Sequence, residues 1–144
     1  MAPDVPGRVE RFRRAVRLVA GAPSPVVEGD MVDDLPDVLA GALDAAPGDA
    51  HLVVFSSWAL TYVDRARRPD VAKTLAAVAR SGRSVTWLTA EPPQCVPGID
   101  APPEPEADRG QTTVLGIRRW RDGAEQTAAV LGTSHPHGQW VTFE

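Results

Sequence analysis

Four stretches of this chain carry side chains that can do chemistry. Asp30, Asp33 and Asp34 form an acidic group, and Ser56-Ser57-Trp58 follow a short apolar run. Glu91 comes just after a second such run, and His135-Pro136-His137-Gly138 stands near the C-terminal end with Trp140 beside it. A carboxylate set against an imidazole is the usual pairing for general acid–base work, so Asp30, Glu91, His135 and His137 are the catalytic candidates. Asp33, Asp34, Ser57, Trp58 and Trp140 are the candidates for ligand binding. Two histidines at i and i+2 on extended backbone can face the same way, as a metal pair requires. They are only two ligands with no cysteine or further histidine near them, and no metal site is expected. Each group also has a plain structural reading. The aspartates can cap a helix, the serines can satisfy turn backbone, Trp58 can be core, and the imidazoles can hydrogen-bond within a tight turn.

Several chemistries lack their sequence signature. The chain has no G-x-G-x-x-G, no G-x-x-x-x-G-K-[ST] and no G-x-S-x-G. Cys95 lies in Pro-Pro-Gln-Cys-Val-Pro, with neither a helix N-terminus nor a nearby base to activate a thiolate.

These residues need elements to position them. Val9, Phe12, Val16 and Val19 recur at helical spacing, which predicts a helix from Arg8 to Ala20 with five arginines mostly on its other face. Those arginines read either as an anion-binding face or as a solvated one. Residues 25–29 predict a short strand, and Pro36 opens a helix to about Leu43 with Asp33 or Asp34 as its cap. Leu52 to Phe55 is an unbroken apolar run, which predicts a strand (about 51–56) covered on both faces. Pro69 to Arg80 is a helix with Val71, Leu75, Val78 and Ala79 inward, and 84–89 is the next strand. Strand, helix and strand make one βαβ unit from His51 to Thr89.

The stretch 91–110 is too rich in proline for a regular element and predicts a long loop. Asp122-Gly123 between alternating runs predicts a hairpin of strands at about 112–120 and 126–134, with a last short strand at 139–143. The expected fold is α/β: one domain over 1–144, a small three-layer Rossmann-like half with parallel strands and a C-terminal antiparallel hairpin. In such sheets ligands bind outside the carboxyl ends of the strands, which points to Asp30, Ser57, Trp58 and Glu91.

Composition bounds the function classes. The chain has 144 residues, 43% hydrophobic and 24% charged, which suits one globular core. A formal charge of −4 argues against general nucleic-acid binding. No apolar run is long enough for a membrane span, the N-terminus lacks the core of a secretory signal, and Cys95 is the only cysteine, so a cytoplasmic location is expected.

Val-Glu-Gly-Asp-Met-Val-Asp-Asp-Leu-Pro (27–36), Leu-Val-Val-Phe-Ser-Ser-Trp-Ala-Leu-Thr-Tyr (52–62), Trp-Leu-Thr-Ala-Glu (87–91) and His-Pro-His-Gly-Gln-Trp (135–140) resemble the C-terminal part of a bacterial family of unknown function, number 2332. Members of that family usually carry a large N-terminal portion, and the resemblance implies a chain that starts after it. More loosely, the arrangement is similar to the second half of a Rossmann-like methyltransferase, with Asp30 placed like the acid those enzymes set near the adenine. The glycine-rich turn that cradles their cofactor has no counterpart here. The resemblance therefore implies no cofactor and a non-catalytic or degenerate methyltransferase-like half-domain, a dimer or other homo-oligomer, or a chain completed by a partner protein on its free sheet edge. The alternative is a small enzyme or ligand-binding domain at the carboxyl edge, for S-adenosylmethionine or a nucleotide.

Overall fold

A computed structural model describes residues 7–21, 25–101 and 110–143. Its elements in chain order are α1 (Arg8–Ala20), α2 (Leu35–Asp44), β1 (Leu52–Ser57), α3 (Arg68–Arg80), β2 (Val85–Glu91), β3 (Thr113–Arg121), β4 (Ala124–Ser134) and β5 (Val141–Phe143). A single 3-10 turn, Leu60–Tyr62, follows β1. The fold is α/β, as the alternation of elements predicts. Its five strands run in the order β1-β2-β3-β4-β5, with β1 and β2 parallel and the rest antiparallel. No helix among the described residues is long and apolar enough to cross a membrane.

The core lies on one face of this sheet. Leu60, Leu75, Ala79, Val85 and Trp87 are fully buried there. Helix α3 lies against β2, β3 and β4, and α2 packs beside α3, adding Leu39 to the same cluster. The proline-rich stretch, irregular as its composition requires, belongs to this core as far as it is described: Cys95, Val96 and Ile99 are all buried. At Gly116 of β3 a Cβ would stand 2.6 Å from Thr89 Oγ1 of β2 and 3.4 Å from Ile99 Cγ1, so the glycine leaves room for both the neighbouring strand and this stretch. Burial pushes the Cys95 thiol pKa up, which disfavours the reactive thiolate. Residues 102–109 of the expected loop lie outside the described residues. The β3–β4 hairpin turns on Asp122 and Gly123, with φ of 52° and 75°, the left-handed backbone that an Asp-Gly turn supplies.

Three expectations fail, for one shared reason. Residues 25–29 form no strand, because no strand among the described residues pairs with them, and Val26 and Val27 are exposed. The unbroken apolar run of β1 is not covered on both faces. It is the edge strand, and Val53 and Phe55 are 56% and 65% exposed on the side away from α3. The third layer is absent among the described residues: α1 is helical as predicted, yet none of its residues is buried. Apolar content marks what must be covered, but it does not say that the cover lies in the same chain.

Candidate functional site

The strand register sets the candidate site residues along one edge. Ser57 pairs with Ala90, Glu91 with Val114, and Thr113 with Ser134, so the carboxyl ends of β1, β2 and β4 share that edge. What the register aligns, side-chain direction then separates. Successive strand residues point to opposite faces, so Ser56 and Glu91 turn into the core while Ser57 is exposed.

Glu91 is fully buried and caps the turn after β1. Its carboxylate accepts from the amides of Ala59 at 3.2 Å and Leu60 at 3.3 Å, and from the Ser56 hydroxyl. Trp87 Nε1 donates to that hydroxyl at 3.2 Å. Desolvation pushes the Glu91 pKa up, and these hydrogen bonds offset it only in part. The carboxylate is thus committed to holding backbone inside the core. Trp58 adopts a left-handed φ of 53°, and its Nε1 donates to Thr113 Oγ1 at 2.9 Å, which ties the loop after β1 to the start of β3.

Asp30 stands in a separate turn. Its Oδ1 accepts from the amides of Asp33 at 2.9 Å and Val32 at 2.8 Å, and these bonds, with Arg67 nearby, lower its pKa. Asp34 occupies the N-cap position of α2 but does not cap it; its Oδ2 accepts from the Asp30 amide at 2.7 Å. Asp33 pairs with Arg67, which also lies 3.7 Å from Asp30. Between this turn and the segment after β1 is a cleft of about 550 Å³, lined by Asp30, Met31, Tyr62, Asp64 and Arg67 among others.

His135 and His137 reach the same edge as Glu91, yet close a turn on themselves. The Gly138 amide donates to His135 O at 2.9 Å, and the His137 amide to His135 Nδ1 at 3.1 Å. Their rings lie 5.6 Å apart, and Trp140 packs edge-on to His135 at 6.4 Å. Among the described residues no hydrogen bond or ion pair joins either imidazole to Glu91 or Asp30, and no group of three or more His, Cys, Asp or Glu side chains is placed to hold a metal ion. The third histidine, His51, lies at the opposite end of β1, with Nε2 2.8 Å from Thr86 Oγ1.

The edge is therefore three separate structures: a buried carboxylate, an acidic turn beside a cleft, and a histidine turn. Sequence reasoning missed Tyr62, Asp64 and Arg67, and did not single Ser56 out of the Ser56-Ser57-Trp58 string. Strand parity, counted from inward Leu52 and Val54, identifies Ser56 as the inward serine; for the other three there is no local signal, since they meet Asp30 only through the fold.

The model of a family described as an uncharacterized protein conserved in bacteria, DUF2332, matches residues 1–143. No curated protein and no solved structure matches the chain.

Proposed function

We propose that this chain, which belongs to the uncharacterised bacterial protein family DUF2332, is a non-catalytic half-domain that works by association through the outer side of β1. The observation that carries this reading is the state of that strand. Leu52-Val53-Val54-Phe55 has no proline, lysine or inward charge to blunt an edge, and its outer-face side chains Val53 and Phe55 are exposed. A strand in this condition pairs readily with another chain, and an apolar layer set over Val53 and Phe55 would remove them from water. A strand–helix–strand unit followed by antiparallel strands also fits a degenerate methyltransferase-like half, and the lone cysteine suits a cytoplasmic setting.

Light scattering over a concentration series tests the reading. Mass should rise above that of the 15.4 kDa chain, and the joint replacements Val53→Lys and Phe55→Lys should return it to monomer without loss of fold. A monomer at every concentration, with no protein co-purifying, would rule the reading out.

The cleft beside Asp30 favours a second reading, a ligand site at the carboxyl edge. Titrating S-adenosylmethionine, nucleotides and divalent metals while following tryptophan fluorescence tests it, and flat traces remove those ligands.

A further inference from the structure

Helix α1 is built like a docking element. Val9, Phe12, Val16 and Val19 fall at alternating spacings of three, four and three, which gathers them into one stripe. Phe12 is 68% exposed and Val9 62%, and no residue of the helix is buried. By helical geometry Arg8 and Arg13 border the stripe on its two sides. The helix carries five arginines against one glutamate, a net of +4, in a chain whose overall charge is −4. A helix rimmed in this way repels a copy of itself and suits an acidic surface.

The same chain holds such a surface. Seven acidic residues and no basic one lie between Glu28 and Asp49. On α2 the buried side is centred on Leu39, so the opposite side presents Asp37, Gly41 and Asp44 outward. Gly41 has open space where a Cβ would stand, so a second helix can approach closely there. Helix α2 packs beside α3 on the core face of the sheet.

We infer that the partner is a second copy of this chain, and that the basic helix α1 of each copy docks across the acidic outer face of α2 of the other. This rests on the association reading above and specifies its partner. The contact is reciprocal, so it closes as a two-fold dimer.

Charge reversal on the full-length chain tests it, with fold checked by circular dichroism. One variant carries Arg8→Glu and Arg13→Glu, and the other Asp37→Lys and Asp44→Lys; all four positions are exposed. Each variant alone should self-associate at least about tenfold more weakly, since like charges then face each other. Mixing the two should restore association, because both reciprocal contacts regain opposite charges. Raising salt from about 0.05 to about 0.5 M should weaken the wild-type dimer markedly. Loss in both variants without rescue on mixing overturns the α1–α2 contact. Association unchanged in both variants, but abolished by Val53→Lys with Phe55→Lys, overturns this inference and leaves the association reading standing. A wild-type monomer at every concentration overturns both.

Discussion

The two sides of β1 contrast sharply. On the inner side, Ser56 and its β2 neighbours Trp87 and Glu91 form a closed relay in which the indole donates to the hydroxyl, and the hydroxyl and two amides donate to the carboxylate. On the outer side, Val53 and Phe55 stand in water with no partner among the described residues to cover them. The Ser56 hydroxyl and the Glu91 carboxylate find their partners within this chain, whereas Val53 and Phe55 find no cover among the described residues. The difference teaches that the most chemically suggestive residue of the edge, Glu91, has its oxygens engaged by donors of its own chain, while the blandest residues are the ones left exposed.

Replacements on the inner side should be the costly ones, and Trp87→Ala should come first. It removes the largest fully buried side chain and the indole that donates to the Ser56 hydroxyl, and a loss of about 3–5 kcal/mol is expected in denaturant unfolding. Glu91→Ala should follow at about 1–3 kcal/mol, because it leaves buried amide donors unpaired. A smaller loss of about 0.5–1.5 kcal/mol is expected for Trp58→Phe, which keeps the ring but removes the hydrogen bond to Thr113. Least of all, Phe55→Ser should change monomer stability by no more than about 0.5 kcal/mol while weakening association. If Phe55→Ser instead destabilised the monomer as much as Trp87→Ala does, the two sides of β1 would not differ as described.

pH sharpens the same contrast. The folded-state pKa of Glu91 lies above its ordinary value, so the native state holds that proton more tightly than the unfolded chain does. Its contribution is therefore fully present below the ordinary glutamate range and is lost as pH rises through the folded pKa. Glu91→Gln, which cannot ionise, should flatten this fall in unfolding experiments across the mildly acidic range. Asp30 works in the opposite sense: its lowered pKa gives a contribution that is present above the ordinary aspartate range and is lost on acidification. It is solvent-exposed, so Asp30→Asn should alter only a shallow acid limb.

Much of the architecture was readable from local pattern. Val71, Leu75 and Ala79 mark the buried stripe of α3, Asp122-Gly123 marks the hairpin, and the prolines after Glu91 rule out a regular element, because each depends on chain geometry within a few residues. The site residues were less legible. Asp30, Ser57, Glu91 and His137 could be placed at one edge from topology, but strand parity turned Glu91 inward, and the bond between His137 and His135 closed the histidine turn on itself. Arg67 meets Asp30 and Asp33 across more than thirty residues of intervening chain, a distance no local pattern spans.

By itself the sequence determined that β1 is a strand and α1 a helix, since both follow from the spacing of apolar side chains along a few turns of backbone. Only the tertiary structure decided that, among the described residues, nothing covers the outer face of β1 or the apolar stripe of α1. Burial is a relation between distant segments, and an apolar run reads the same whether its cover comes from its own chain or from another.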